Sequence, residues 1–197
     1  MRAGVVDYRM GNLASVCKAL DRVGATSFSS SDDSQLSDSD LLVLPGVGNF
    51  ESGMKNLEQA GLADFIKDWI TSGKSFIGIC LGMQLLFESS EEGNTKGLGV
   101  IEGEVVRLSS QKKVPHMGWN TIEATKGFFK EYSERHFYFV HSYVCVPSGS
   151  LDVAYTSYGA DFVSALATDR ILAFQFHPEK SSSVGLKLLA AALKEIE

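Results

Sequence analysis

No stretch of this chain approaches the roughly 20 consecutive apolar residues that a membrane-spanning helix requires, so no membrane association is expected. Basic residues are in deficit: 18 Lys and Arg against 24 Asp and Glu leave a net charge of −6, which argues against non-specific nucleic-acid binding. Cysteine is sparse as well. Three widely separated cysteines make no disulfide framework and no zinc-ligand spacing, so no metal or cofactor is expected and a reducing cytoplasm is the fitting compartment. Met1 to Asp7 reads as a first strand and lacks the long apolar core of a signal peptide. What is present, 197 residues with 44% hydrophobic content and no internal repeat, suits one globular domain over 1–197 with an ample core.

Along the first half, strand and helix patterns alternate. Ala3 to Asp7 predicts a strand, and Asn12 caps a helix running to Val23, with Gly24 as its stop. Leu41 to Leu44 is wholly apolar, as in the middle of a parallel sheet. Helical spacing covers Phe50 to Gln59 and Leu62 to Thr71. From Gly97 the texture turns to β runs at 100–108, 119–123, 137–146, 153–158, 162–167 and 171–176. A helix over Val184 to Ile196, capped by the serines at 181–183, follows. Ser29 to Ser34 reads as a polar surface loop. The whole predicts a three-layer α/β fold with a mixed, mostly parallel central sheet flanked by helices.

The chemistry concentrates at Gly78-Ile79-Cys80-Leu81-Gly82-Met83-Gln84. Ser75 to Ile79 reads as a buried strand and Leu81 to Ser89 as a helix, so Cys80 occupies a sharp strand-to-helix bend, the thiol counterpart of a nucleophile elbow. Glycines on both sides let backbones crowd where a Cβ would clash. The start of a helix favours a thiolate and offers N–H groups to a developing oxyanion. A lone cysteine is more often plain core, and Cys17, on an apolar helix face, reads that way. Cys145 reads as a strand end with no acid or base beside it.

A nucleophilic thiol needs a base with its own orienting group. Of four histidines only His177, in His177-Pro178-Glu179 after the run 171–176, brings one. Pro178 biases His177 to extended geometry, where residues two apart share a side. Glu179 is then placed to hold one imidazole nitrogen and leave the other for Cys80. His116 has no nearby acid, His136 reads as exposed, and His141 alternates with Phe137, Phe139 and Tyr143 as a hydrogen-bonded core histidine. Pro45-Gly46-Val47-Gly48 lacks the lysine of a phosphate loop; after a sheet strand it suits a backbone donor to an oxyanion. Gln84 lies one helical turn past Cys80, where a polar amide suits an amino-acid ligand. Ser142 and Tyr143 offer further groups to the same pocket.

Taken with Val6-Asp7-Tyr8, Met10 to Leu13, Pro115 to Asn120, Tyr138 to Tyr143 and Phe174 to Ser181, these motifs resemble the class I (triad) glutamine amidotransferases. Within that family they are most similar to the glutaminase subunits of imidazole glycerol phosphate synthases. The resemblance spans essentially the whole chain. Arg9 stands where the family more often has glycine, and Asn49 where it has a small residue. The resemblance implies that Cys80 attacks the glutamine side-chain amide, His177 relays protons and Glu179 orients His177. It further implies a glutamyl thioester that water clears to glutamate after ammonia leaves. Leu81 and the segment Gly46-Val47-Gly48 would form the oxyanion hole, and Gln84, Ser142 and Tyr143 would hold glutamine.

Ammonia in water is mostly protonated and then no nucleophile, which favours delivery to an attached synthase. The partner implied by the resemblance is a (β/α)8-barrel cyclase subunit in a heterodimer, docking near Tyr8 to Asn12 (Asn12 included), Trp119 and Asn120, Tyr138 and Lys180. Three rivals stand beside this reading. They are an amidotransferase serving another acceptor enzyme, a catalytically silent scaffold and a cysteine peptidase.

Overall fold

A computed structural model of the protein describes residues 1–109 and 112–196; Ser110, Gln111 and Glu197, part of the span 1–197 assigned above to one domain, lie outside the described residues. The leading part alternates as its periodicity predicts. It runs β1 (Arg2–Val6), α1 (Leu13–Arg22), β2 (Thr26–Ser30), α2 (Asp33–Ser37), β3 (Leu41–Leu44), α3 (Phe50–Gln59), α4 (Leu62–Thr71), β4 (Ser75–Ile79) and α5 (Leu81–Gln84). The chain continues as β5 (Phe87–Ser90), β6 (Thr95–Lys96), β7 (Ile101–Arg107), β8 (His116–Thr121), β9 (His136–His141), β10 (Tyr143–Pro147), β11 (Asp152–Ser157), β12 (Asp161–Ala167), β13 (Ile171–Phe174) and α6 (Ser182–Glu195). Short 3-10 turns occupy Glu92–Asn94, Phe128–Tyr132 and Pro178–Lys180.

One large sheet has the order β2-β1-β3-β4-β13-β12-β10-β7-β5-β6, with β11 added to β12, and β8 and β9 pair as a separate ribbon. The run from β2 to β13 is parallel. It suits strands such as Leu41–Leu44 and Ser75–Ile79, buried at every position, because apolar side chains then find a layer on either face. On one face Val5, Val43, Ile77 and Phe174 pack with Val16, Leu20, Leu188 and Ala192 of α1 and α6. On the other, Leu42, Leu44 and Phe76 meet Met54, Leu57, Ile66 and Trp69 of α3 and α4. The result is three layers, as expected.

Four local expectations are corrected. The helix begun at Leu81 stops at Gln84 instead of Ser89, and Phe87 opens β5. The carbonyls of Leu85, Leu86 and Phe87 accept from the amides of Leu98, Val100 and Gly99, so tertiary pairing takes over the bonds a longer helix would make. Ser29 and Ser30 end β2, which lies at the sheet edge and, among the described residues, pairs only with β1, and Asp32 caps α2 through the Ser34 amide. The run 137–146 breaks at Ser142, with β9 joining β8 and β10 joining β7 and β12. Of the serines before α6, Ser181 holds the N-cap position without a side-chain capping bond, since its Oγ donates to the His177 carbonyl and accepts from the Tyr138 amide.

Candidate active site

β4 delivers Cys80 at φ 55°, ψ −107°, a left-handed conformation uncommon for a side-chain-bearing residue. Such strain costs on the order of 1–3 kcal/mol and persists only where surroundings over-determine it. Two observations show what holds it. The Cys80 amide donates to the Phe174 carbonyl at 2.6 Å, tying the bend to the neighbouring strand β13. Gly82 leaves no room for anything larger, because a Cβ there would lie 1.8 Å from the Leu44 carbonyl oxygen. The thiol itself is buried, with Sγ 3.8 Å from the Val140 carbonyl and 3.8 Å from Gln175 Nε2. Cys17 is half-buried against the core, and Cys145 lies inside β10 and not at a strand end, fully packed.

β13 runs parallel to β4, so the segment after it brings His177 to the same end of the sheet as Cys80. His177 is extended (φ −103°, ψ 96°), and its amide donates to the Tyr138 carbonyl at 2.9 Å. Nδ1 meets Glu179 Oε1 at 2.8 Å, with both side chains at most 3% exposed. Among the described residues Nε2 makes no well-aligned hydrogen bond, while the Cys80 sulfur lies close enough to act on the ring. Burial by itself lowers the imidazole pKa. The charge and hydrogen bond of Cys80, then those of Glu179, more than reverse that and raise it to about 9. The three residues selected from sequence are thus brought together.

Beside them lies a cavity of about 160 Å³ bordered by Gly48, Cys80, Leu81, Gln84, Ser142 and Tyr143. It is smaller than the roughly 300–1,000 Å³ of drug-sized sites and fits a single amino acid better than a peptide. Gly46 and Val47 do not border it. Gly46 is wedged between Tyr8 and Leu81, where a Cβ would meet both, and Val47 faces outward. The Leu81 amide, expected as an oxyanion donor, donates instead to the Gly46 carbonyl at 3.4 Å. In this conformation the amide expected to meet an oxyanion is taken by the loop expected to supply the second donor.

Sequence reasoning missed two groups here. Glu92 sits in a polar run without periodicity, and only the fold brings it to the cavity wall, where Oε2 accepts from the Phe50 amide at 2.7 Å. Gln175 did carry a signal, lying two residues before His177 in an extended segment and so on the same side. His141 also borders the cavity. Its Nδ1 lies 3.0 Å from the Tyr143 carbonyl, and its Nε2 lies 3.0 Å from His116 Nδ1. A carbonyl only accepts, so His141 carries its proton on Nδ1 and accepts from His116. Burial holds both rings neutral, lowering them to about 3 and about 4.

Of the residues assigned to a docking surface, Trp119 is 52% exposed, next to Met117 at 62%. Trp119 faces Tyr138 across the β8–β9 ribbon. Lys180 is exposed on the turn that carries Glu179, and Asn12 caps α1, accepting from the Ser15 amide. The two positions that depart from the family pattern fit locally. Arg9 adopts the positive φ of 64° that glycine tolerates best, and Asn49 caps α3 through the Ser52 amide.

Known proteins are similar to this chain in sequence and in fold. The chain is 50% identical to the imidazole glycerol phosphate synthase subunit HisH of Aquifex aeolicus, over 96% of this chain and 94% of that one. It is 46% identical to the subunit of the same name from Methanopyrus kandleri, over 98% of each. Among solved structures it superposes on a glutamine amidotransferase with a TM-score of 0.77 at 22% identity, covering 96% of this chain and 98% of that chain. PurLQS from Thermotoga maritima gives 0.73 at 20% identity, covering 99% and 96%. At those identities the likeness speaks for the fold alone. A family model described as glutamine amidotransferase class-I matches residues 5–195, and the chain belongs to that family.

Proposed function

We propose that the protein is the glutaminase subunit of an imidazole glycerol phosphate synthase in histidine biosynthesis, a cytoplasmic enzyme whose residues 1–197 act as one amidotransferase domain. The reading is carried by the buried thiol and the His177–Glu179 pair at the ends of adjacent parallel strands. It is supported by two relatives of that name at 46–50% identity over nearly their whole length.

In this reading the Cys80 sulfur attacks the side-chain carbonyl carbon of glutamine, and the His177 imidazolium gives its proton to the departing nitrogen as ammonia leaves. A glutamyl thioester remains. Neutral His177 then takes a proton from water, whose oxygen attacks the thioester, and the thiol is released with glutamate. Glu179 holds Nδ1 and supports the imidazolium. Gln84, Ser142 and Tyr143 line the pocket for the substrate, and the carboxylate of Glu92 suits its ammonium. An oxyanion would be met by the Leu81 amide once the Gly46 carbonyl withdraws from it, with the Gly46-Val47-Gly48 segment supplying the second donor.

That obstruction also accounts for a partner. A hole filled by its own loop gives slow hydrolysis alone, and docking that moves the loop would start turnover where ammonia has an acceptor. The occupant expected is a (β/α)8-barrel cyclase subunit, seated on Asn12, Trp119, Tyr138 and Lys180. Glutamate release measured with and without that cyclase and its nucleotide ligand tests the proposal: slow turnover alone and strong stimulation in the complex are expected. Fast hydrolysis without a partner would contradict gating, and no hydrolysis in the complex would contradict the whole reading.

A further inference from the structure

Gln175 is fully buried, its backbone amide held by the Ser164 carbonyl at 2.9 Å, and a primary amide in such a place costs free energy unless its polar atoms are used. They are used in a directed chain. Gln84 Nε2 donates to the Tyr143 carbonyl at 3.1 Å and to Gln175 Oε1 at 2.9 Å, and Gln175 Nε2 faces Cys80 Sγ at 3.8 Å. A main-chain carbonyl can only accept, so the contact with Tyr143 sets the orientation of both amides. Gln84 spends its nitrogen on Tyr143 and Gln175, Gln175 spends its oxygen on Gln84, and its nitrogen is left for the sulfur. The remaining group of Gln84 is Oε1, an acceptor, beside the cavity.

We infer that Gln175 is a positioning residue for the reaction, donating a hydrogen bond to the Cys80 thiolate while fixing Gln84 so that it presents an acceptor to the substrate. The inference rests on Cys80 being the nucleophile. A neutral thiol is a weak acceptor and a thiolate a strong one, so this bond matters most in the reactive state. An amide donor also suits the place better than a charged one, because it stabilises the anion without taking the proton that His177 must handle. Gln175 and His177, two residues apart, thus flank the sulfur with a fixed donor and a titrating base.

The test is the pH dependence of Cys80 alkylation by iodoacetamide, read at that residue by mass spectrometry, in the full chain carrying Gln175→Glu or Gln175→Met. Both are expected to move the profile to higher pH, by roughly one unit or more, Gln175→Glu the further. Glutamine turnover in the complex should fall about tenfold. Profiles that superpose on that of the unaltered chain would overturn the inference. Should both substitutions unfold the protein, the unaltered chain still decides. The side-chain amide NMR signals of Gln175 must shift along the alkylation profile and stay still in Cys80→Ala, and signals that never move overturn the bond. Cys80→Ala that keeps hydrolysing glutamine in the complex would sink the nucleophile itself. A dead Cys80→Ala with unmoved Gln175 profiles would sink only this inference.

Discussion

The amide of Cys80 donates to the carbonyl of Phe174 at 2.6 Å, so the bend carrying the sulfur is fastened to the strand that carries the imidazole. β4 and β13 pair Ile79 with Phe174, and each chain leaves the sheet just beyond that register. The mutual position of the sulfur and the imidazole is therefore a property of the sheet more than of either loop.

Glu179→Gln should preserve packing yet remove the carboxylate from His177 Nδ1. In the complex, glutamine hydrolysis is expected to fall by about two to four orders of magnitude, with a smaller change in KM. Steady-state kinetics over a range of glutamine concentrations separates the two parameters.

His177 has a folded value of about 9 against an ordinary 6.5. A raised value means the folded state holds the proton more tightly, so this contribution to stability is complete below pH 6.5 and is lost as pH climbs to about 9. Urea unfolding across that window should show it in the unaltered protein and much less in Cys80→Ala, which removes the main raising charge. Equal pH slopes in the two proteins would show that the thiolate is not the source.

Gly82→Ala should be among the most damaging single changes in the chain. The added methyl would lie 1.8 Å from a main-chain oxygen of β3, an atom that cannot swing aside. A loss of about 3 kcal/mol or more is expected, read as a lowered melting temperature together with loss of the alkylation selectivity of Cys80.

Gly48 has φ +118° at the rim of the cavity. Gly48→Ala restricts the backbone where, in the proposed gating, the loop moves to free the Leu81 amide. Stimulation by the cyclase is expected to drop about tenfold or more, with glutamine affinity, measured by calorimetry in a Cys80→Ala background, little changed.

Trp119→Ala removes half-exposed surface and should shift unfolding free energy by no more than about 0.5 kcal/mol, while weakening cyclase binding by roughly 1–2 kcal/mol or more, as anchoring aromatics do. Titration calorimetry with the partner and a thermal melt of the subunit alone check both halves.

Much of this molecule was readable from the chain, and the residues show why. α3 and α4 carry clean helical periodicity and sit at the bounds it predicts, and the signals at Cys80 and His177 lie in short motifs. β2 was missed because Thr26–Ser30 has little apolar alternation and relies on β1. β5 was hidden because Leu85, Leu86 and Phe87 are buried on all sides, which erases the difference between helical and strand spacing. Glu92 and the Leu81–Gly46 bond depend on contacts between distant segments. No local pattern announces them.

β9 touches both the Cys80 sulfur and the segment that carries the His177 imidazole. Its Tyr138 carbonyl receives the His177 amide and its Val140 carbonyl lies against the Cys80 sulfur, while the Tyr138 ring meets Trp119 on the outside. One short ribbon thus spans from an outer aromatic ledge to the gap between sulfur and imidazole. Any displacement of that ledge would have to be absorbed by the same strand whose carbonyls seat the sulfur and the imidazole.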